Sequence, residues 1–208
     1  MAIQDIFDAV VSMNKKIIAG LVQAELDNKT QVPTILQDGL IAGMNEVGER
    51  FSRGDMFVPE MLMAAQVMKE GLNVIKPLLT ESDMPSCGTV VLGTVKGDMH
   101  DIGKNLVAMM MEGAGFKVID IGVDIPKEDF VHAAKEHEAD IIGLSALLTT
   151  TMPAMEEAIY SLRDAGITAK ILVGGAPVTQ DFAQKIGADG YGQDAASAAR
   201  IATSLLAV

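Results

Sequence analysis

The chain has 208 residues, of which 49% are hydrophobic and 21% charged, a composition typical of globular domains and unlike that of disordered or fibrous chains. Lys and Arg number 16 against 28 Asp and Glu, and the net charge of -12 disfavours a nucleic-acid partner. The single cysteine excludes an internal disulfide, and no stretch reaches the roughly 18 apolar residues of a membrane span, so we expect a cytoplasmic protein with no membrane partner.

Residues 1–83 show the periodicity of helices. Apolar residues recur every three or four positions, as at Ile6 and Val10, and no β-branched run of strand length interrupts them. Pro33 and Pro59 stand where the first turn of a helix accepts proline, because the N–H that proline lacks would have no partner inside the helix there. We therefore predict a helical domain of about four helices packed as a bundle.

A short polar segment with a proline follows, and we predict a linker at residues 84–87. From residue 88 to residue 208 strands alternate with helices, which is typical of a doubly wound, flavodoxin- or Rossmann-like α/β domain with a five-stranded parallel sheet. The strands are predicted at residues 89–93, 117–120, 141–145, 170–173 and 190–191. The helices are predicted at residues 102–115, 127–137, 152–165, 179–186 and 195–206.

The predicted strand order is 2-1-3-4-5, so strands 1 and 3 are neighbours in space. Ligands of such sheets bind in the crevice beyond the carboxyl ends of the strands. We therefore expect the loops after strands 1, 3 and 4 to meet at that edge of the sheet.

The loop after strand 1 contains a histidine two residues after an aspartate, and it lacks the GxGxxG and GxxxxGK[ST] spacings of nucleotide-binding loops. At this spacing Asp98 can accept a hydrogen bond from one ring nitrogen of His100 while the other nitrogen faces outward, which orients a metal-ligating imidazole. Gly97 and Gly103 keep the flanking backbone free of side chains. Alternatively, Asp98 and Asp101 cap the following helix and His100 is a solvated loop residue.

The loops after strands 3 and 4 contain small residues. Ser145, Thr149 and Thr151 place hydroxyls beside small apolar residues, a combination suited to lining a slot. Alternatively, one of the threonines caps the next helix. Gly174 and Gly175 follow strand 4, where two glycines either allow a flat body to approach the backbone or simply form a turn.

Three short motifs thus occur in these loops: Asp98-x-His100-x-x-Gly103, Ser145-x-Leu147 and Gly174-Gly175. Spacers of 41 and 26 residues separate them. Their order and spacing resemble the signature of the cobalamin-binding domains of methionine synthase and of the corrinoid proteins in methanogen and acetogen methyltransferase systems. Residues 1–83 are similar to the helical cap domain that precedes such modules.

The resemblance implies base-off, His-on cobalamin binding. His100 becomes the lower axial ligand of cobalt in place of the cofactor's own dimethylbenzimidazole, Asp98 its hydrogen-bonded partner, and Thr151 the residue that extends this relay where methionine synthase has a serine. The other cofactor-binding positions implied in this domain are Gly97, Met99, Asp101, Ile102, Gly103, Ser145, Leu147, Thr149, Gly174, Gly175 and Gly192. Among them, Ser145 and Leu147 line the slot for the displaced nucleotide tail.

Residues 47–59 resemble the stretch that covers the upper face of the corrin in methionine synthase. The resemblance implies that Phe51 and Val58 lie over the cobalt-bound methyl group, with valine where methionine synthase has leucine. A cap of this kind must move to admit a methyltransferase, and we predict residues 81–86 as its hinge.

The function implied is that of a methyl carrier in one-carbon metabolism, using methylcobalamin or a related corrinoid. Its expected protein partners are a substrate methyltransferase, an acceptor methyltransferase and a reductive activator. The sequence offers no second cluster of Cys, His or paired carboxylates for activating a substrate, so we expect a carrier subunit that is not a complete enzyme. Methylamines, methanol, betaines and aryl methyl ethers all remain open as methyl donors.

Two alternatives use the same cofactor loops. A subunit of an adenosylcobalamin-dependent mutase generally lacks a helical cap like that of methionine synthase, so the similarity of residues 47–59 counts against it. A cobalamin-sensing transcriptional regulator needs a basic DNA-reading domain, and the acidic N-terminal half disfavours one.

Overall fold

The computed structural model describes residues 2–78 and 87–207. The chain divides into two compact units, Met1–Ser86 with Gly113–Gly115, and Cys87–Glu112 with Phe116–Val208. Of the predicted linker at 84–87, only Cys87 lies within the described residues, and the predicted hinge at 81–86 lies outside them. No helix in the described ranges combines the length and the apolarity that crossing a membrane requires.

The described part of the first unit, residues 2–78, consists of helices joined by turns and contains no strand. Its elements are α1 (Ala2–Val11), α2 (Ile18–Asp27), α3 (Val32–Thr34), a π-helical segment (Ile35–Ile41), α4 (Ala42–Arg53), α5 (Val58–Ile75) and a 3-10 turn (Lys76–Leu78). Pro33 and Pro59 lie in the first turns of α3 and α5, as predicted. The π-helical segment joins α3 to α4 without a break, a feature that apolar periodicity does not predict.

A core of aliphatic side chains and methionines holds this unit together. Most side chains at the apolar helical positions are buried, among them Ile6, Val10, Ile18, Leu40 and Met44, whereas Ile17 and Met63 are exposed. Burial of apolar surface stabilises such a bundle by roughly 25 cal/mol for each Å² removed from water. The helical pattern of the sequence thus marks the buried face of each helix.

The second unit is a parallel sheet of five strands in the order β2-β1-β3-β4-β5, which confirms the predicted order. The strands are β1 (Thr89–Val95), β2 (Lys117–Ile125), β3 (Ile141–Ser145), β4 (Lys170–Gly174) and β5 (Gly190–Gly192). The helices are α6 (Ile102–Gly113), α7 (Lys127–Glu136), α8 (Met152–Asp164), α9 (Gln180–Lys185) and α10 (Ala195–Leu206). This doubly wound arrangement confirms the predicted fold class.

Strand β2 differs from the prediction, because it continues five residues beyond residue 120, to Ile125. Its pairing with β1 is irregular, with register shifts on both sides of Gly93. Positive φ angles at Gly122 (97°) and Asp124 (56°) accompany these shifts. Gly and Asp are rare inside strands, so the composition of this segment concealed the continuation of the strand.

The carboxyl ends of four strands lie side by side at one edge of the sheet. Thr94 of β1 pairs with Ser145 of β3, Ser145 with Gly174 of β4, and Gly174 with Gly192 of β5. The loops that follow β1, β3 and β4 therefore begin at the same level and meet at this edge, as the strand order predicts. The functional residues proposed for the α/β unit are carried by these loops.

Candidate functional site

The ring of His100 is held by the carboxylate of Asp98 in the loop between β1 and α6. Nδ1 of His100 lies 2.7 Å from Asp98 Oδ1, and the backbone N–H of His100 donates to the same oxygen at 3.1 Å. The Asp98 side chain is completely buried, whereas half of the His100 side chain is exposed. The hydrogen bond that the spacing predicts is therefore present, and His100 is not merely a solvated loop residue.

The second oxygen of Asp98 joins this loop to the loop after β3. Asp98 Oδ2 accepts hydrogen bonds from the backbone N–H groups of Leu147, at 2.8 Å, and Leu148, at 3.3 Å. The Thr151 hydroxyl lies 2.7 Å from the same oxygen and 2.9 Å from the Leu148 carbonyl oxygen. Because a hydroxyl has one proton, the charged carboxylate is its stronger acceptor.

These contacts decide between the alternatives left open by the sequence. Thr151 occupies the N-cap position of α8, but its hydroxyl makes no capping hydrogen bond to that helix. The five hydrogen bonds that the Asp98 carboxylate accepts come from His100 and from residues 147–151, so a role of this carboxylate as the cap of α6 is wrong.

The hydrogen bonds also fix the charge of Asp98. Burial alone would raise the pKa of this carboxyl, but the hydrogen bonds from Leu147, Thr151 and His100 outweigh burial and hold the pKa well below its ordinary value of 3.8. Asp98 is therefore ionised at neutral pH, and only a protonated Nδ1 can donate to it. In the neutral imidazole the free lone pair then belongs to Nε2, which is the form that binds a metal ion.

Large apolar side chains are exposed beside this histidine and in the loop tied to it. Met99 is 68% exposed and Ile102 77%, one on each side of His100 in the sequence, and Leu147 and Leu148 are each 42% exposed. Leu148 was not predicted as a site residue. Its two neighbours Leu147 and Thr149 were, and the signal that could have found it is the pair of adjacent leucines in a loop.

Gly97 and Gly103, both predicted as cofactor-binding positions, differ in why the structure accepts glycine there. Gly97 has φ = 82°, a conformation that favours glycine, and so forms the turn before Asp98. Gly103 lies in the first turn of α6, and a Cβ built on it would meet no atom within 4 Å. No packing requirement within the described structure therefore explains glycine at position 103, and a Cβ there would occupy open space beside His100.

The glycines at the ends of β4 and β5, together with Gly175 after β4, are required by packing of the chain against itself. At Gly175, with φ = 133°, a Cβ would lie 1.8 Å from the carbonyl oxygen of Ala146. At Gly174 it would lie 3.0 Å from the carbonyl oxygen of Gly192, and at Gly192 it would lie 2.7 Å from Cβ of Ala198. Their expected role in making room for a nucleotide tail stays a prediction.

The remaining predicted cofactor-binding residues differ in their exposure and in the unit to which they belong. Ser145 is half-buried at the end of β3, while Asp101 and Thr149 are exposed. Phe51, near the end of α4, and Val58, at the start of α5, belong to the helical unit, where both are half-buried.

Sequence reasoning missed several residues that hold the loop or are exposed near the predicted cap positions. Thr94, completely buried at the end of β1, donates its hydroxyl hydrogen to the carbonyl oxygen of His100 at 2.9 Å. Asp124 at the end of β2 accepts a hydrogen bond from the backbone of Gly97. The available signal was a polar residue inside an apolar strand. Phe57, 71% exposed in the connection between α4 and α5, was also missed.

A metal ion held at this site needs ligands from elsewhere. Within residues 2–78 and 87–207 no three His, Cys, Asp or Glu side chains are grouped so that they could hold a metal ion. His100 offers one nitrogen donor. One imidazole suits a metal that arrives inside a macrocycle supplying its equatorial ligands, as haem and corrin do.

Comparisons with known proteins show the family and its cofactor. Two family models, each described as a B12 binding domain, match residues 88–200 and 2–76. They define a B12-binding protein, and its cofactor is a cobalamin or related corrinoid.

Individual relatives narrow the class further. Dimethylamine corrinoid protein 1 of Methanosarcina acetivorans is 45% identical over 211 residues, which cover 99% of this chain and 97% of that protein. Trimethylamine corrinoid protein 1 of the same organism is 46% identical over 192 residues, covering 90% and 89%. The solved methanol:cobalamin methyltransferase complex MtaBC from Methanosarcina barkeri matches with a TM-score of 0.86 and 32% identity, covering 99% of this chain and 80% of that chain. The chain belongs to the family of corrinoid proteins.

The residues present fit this cofactor. His100 offers a single nitrogen donor of the required tautomer, and the open space at Gly103 lies in the turn that follows it. A buried carboxylate bonded to the far nitrogen of a ligating imidazole is also the usual arrangement around protein-bound metals.

The buried charge of Asp98 predicts a pH-dependent contribution to stability. A carboxyl whose native pKa is lowered stabilises the fold above its unfolded pKa, near 3.8, and this contribution is lost as the pH falls towards the native pKa. At pH 7, Asp98→Asn is expected to lower the free energy of unfolding by about 1–3 kcal/mol, because its amide N–H groups would face hydrogen-bond donors. Urea unfolding of both proteins at pH 7 and pH 3 should show the difference shrinking at pH 3. A difference of the same size at both pH values would contradict this account.

Proposed function

We propose that this chain carries a methyl group on the cobalt of a corrinoid between a substrate-specific methyltransferase and an acceptor methyltransferase. The observation that carries the proposal is the hydrogen-bonded series Thr151, Asp98 and His100, which presents a half-exposed imidazole with Nε2 free. When bound, the corrinoid supplies the cobalt centre that accepts and releases the methyl group. The relatives named as methylamine corrinoid proteins support this reading.

In this proposal the protein tunes the cobalt through one axial ligand, with the cofactor base-off and His-on. Nε2 of His100 donates its lone pair to the metal, while Asp98 keeps the proton on Nδ1 and makes the imidazole a stronger donor. The hydroxyl of Thr151 and two backbone N–H groups stabilise the carboxylate in its charged form. In this proposal Thr151 and Asp98 adjust how strongly His100 donates to the metal, and no second protein group is needed at the metal.

The exposed apolar residues give the corrin a surface to bind. Met99, Ile102, Leu147 and Leu148 would lose contact with water when a flat macrocycle covers them, and burial of apolar area favours binding. For the slot of the displaced nucleotide tail we propose Ser145 and Leu147, with Gly174 and Gly175 giving it room and Gly192 near its far end. Gly97, Asp101, Gly103 and Thr149 are proposed as further cofactor-binding positions. In the helical unit we propose Phe51 and Val58 as cofactor-covering residues.

We propose methylated amines as the methyl donors handled by the partner methyltransferase. Support comes from the dimethylamine and trimethylamine corrinoid proteins, which are 45% and 46% identical to the chain, compared with 32% for the methanol complex. A reductive activator is a further proposed partner, because a cobalt that cycles through its lowest oxidation state is vulnerable to oxidation. The chain itself is proposed to act as a carrier subunit.

Replacement of the axial histidine tests the function directly. We expect His100→Gln to bind cobalamin at least about tenfold more weakly, or with the benzimidazole still coordinated, and to slow methyl transfer from a dimethylamine methyltransferase. The measurements are an absorption titration with hydroxocobalamin and a reconstituted methyl-transfer assay, with a methanol methyltransferase as the competing donor system.

The control for this replacement is His132→Gln, which changes an exposed histidine on α7. It should bind cobalamin and transfer methyl groups like the wild type. Equal binding, spectra and transfer rates in the two variants would show that His100 is not the ligand. Transfer with the methanol system alone would contradict the proposed donor class.

Gly103→Ala should separate stability from binding. Alanine is favoured over glycine in a helix, by up to about 1 kcal/mol in its interior, and the added Cβ meets no atom of the protein within 4 Å, so the variant without corrinoid should unfold at higher urea concentration. If the cofactor occupies the open space, the same methyl group should weaken corrinoid binding. Gly20→Ala in α2 is the matched control, because its Cβ also meets nothing within 4 Å.

Both variants should therefore gain stability, and only Gly103→Ala should lose affinity for hydroxocobalamin in the absorption titration. Equal affinity in the two variants would mean that the cofactor does not use the space at Gly103.

A further inference from the structure

The edge strand β2 is hydrogen-bonded to the loop that carries His100. In the sheet, β2 and β3 lie on opposite sides of β1. The backbone N–H of Gly97 donates to Asp124 Oδ1 at 2.7 Å, and the backbone N–H of Asp124 donates to the carbonyl oxygen of Asp98 at 3.0 Å. Asp124 thus makes one hydrogen bond to Gly97 and one to Asp98, the residues that precede the His100 turn. A bond in each direction between two segments restrains their relative position more than either alone.

The backbone at Asp124 is strained to make these bonds. Its φ of 56° lies in the left-handed region, which non-glycine residues adopt at a cost and which persists where the surroundings hold it. In the pairing of β1 with β2, Gly93 lies opposite Gly122 and Val95 lies opposite Ile125. Asp124 therefore falls within the second register shift. The irregular end of β2 is therefore the geometry that brings the Asp124 carboxylate and its own N–H to the loop.

An ion pair between a buried lysine and an exposed aspartate fixes the helix after the loop to the same strand. Lys104, in the first turn of α6, is 3% exposed, and its ammonium group bonds the carboxylate of Asp120 on β2 and Oδ1 of Asn105. The other oxygen of Asp120 accepts a hydrogen bond from the backbone of Gly122. A buried ammonium group is stable only when it is paired, so this contact holds the start of α6 against β2.

His100 lies between these two attachments. The loop before it is bonded to Asp124, and the helix after it is bonded to Asp120, both on β2. The Asp98 carboxylate can orient the ring only if the Asp98 backbone is itself fixed, and that backbone is the one Asp124 bonds. Loosening Asp124 would therefore shift the carboxylate relative to the donors in the loop after β3.

From these contacts we propose that Asp124 is a positioning residue for His100, acting through Gly97 and Asp98. The inference rests on the proposed function in one respect: the proposed function makes His100 the metal ligand. Asp124 touches neither the imidazole nor, in this proposal, the metal. Its carboxylate sets where the Asp98 carboxylate stands and hence the direction of the His100 ring.

Two substitutions isolate the carboxylate from the backbone strain. Asp124→Asn keeps an acceptor oxygen and tolerates the left-handed conformation, whereas Asp124→Gly removes the acceptor and relieves the strain. Because Asp124 is exposed, neither change opens a cavity in the core.

Asp140→Gly is the matched control, because Asp140 makes a similar pair of hydrogen bonds at the opposite end of β1. Its carboxylate accepts from the N–H of Thr89 at 2.8 Å, and its own N–H donates to the carbonyl oxygen of Thr89 at 2.9 Å.

The first readout uses the protein without corrinoid. In Asp124→Gly we expect about tenfold faster hydrogen exchange of the Gly97 amide and changed nitrogen chemical shifts of the His100 ring, with Asp124→Asn close to the wild type. Asp140→Gly should speed exchange at Thr89 and leave the His100 ring unchanged. Wild-type ring shifts in Asp124→Gly would overturn the proposal, and so would a ring change of equal size in Asp140→Gly.

The second readout loads the same variants with hydroxocobalamin. Absorption spectra should show a smaller His-ligated fraction in Asp124→Gly than in Asp124→Asn or Asp140→Gly, and equal fractions in all three would overturn the proposal. If the wild type itself binds cobalamin without a histidine ligand, the proposed function is wrong. The ring shifts measured without corrinoid then decide by themselves whether Asp124 positions His100.

Discussion

The site depends on keeping one carboxylate charged where water cannot reach it. The Asp98 side chain is completely buried, and an unpaired buried charge would cost far more than a fold of this size can offset. Donors from two loops stabilise it, namely the backbone and ring of His100 on one side and Leu147, Leu148 and Thr151 on the other. Those donors meet only because β1 and β3 are adjacent in the sheet. The strand order therefore allows Asp98 to remain charged, and the charge of Asp98 fixes the tautomer of His100.

The sequence predicts the parts of this arrangement that follow from local patterns. Alternating strands and helices predict the fold class, and 2-1-3-4-5 is one of the common strand orders of that class. The two-residue spacing from Asp98 to His100 allows their hydrogen bond. The contact between Asp124 and Gly97 was not predicted, because it joins residues 27 positions apart through a register shift. The pair of Lys104 and Asp120 was also missed, because it joins a helix to a strand 16 positions apart through side chains. Irregular pairing of strands depends on tertiary packing that periodicity does not encode.

The glycines show how the same residue type serves different physical needs within one site. Gly175 is fixed by the fold, since any side chain there would overlap the carbonyl oxygen of Ala146. Gly103 meets no such restriction, since a Cβ built there would meet no atom of the protein within 4 Å. A motif read from sequence treats these positions alike. The structure separates a glycine that the chain needs for its own packing from one whose empty space is available to a ligand.

The most direct test of the central claim is electron paramagnetic resonance of the protein loaded with cobalt(II) cobalamin, with its histidines labelled with 15N. If His100 is the lower ligand, the cobalt signal should be split by one 15N nucleus, and the splitting should revert to the 14N pattern in unlabelled protein. A 14N pattern that persists in the labelled protein would mean that the cofactor's own benzimidazole occupies the axial position. The buried Asp98 would then hold a histidine that the cobalt does not use.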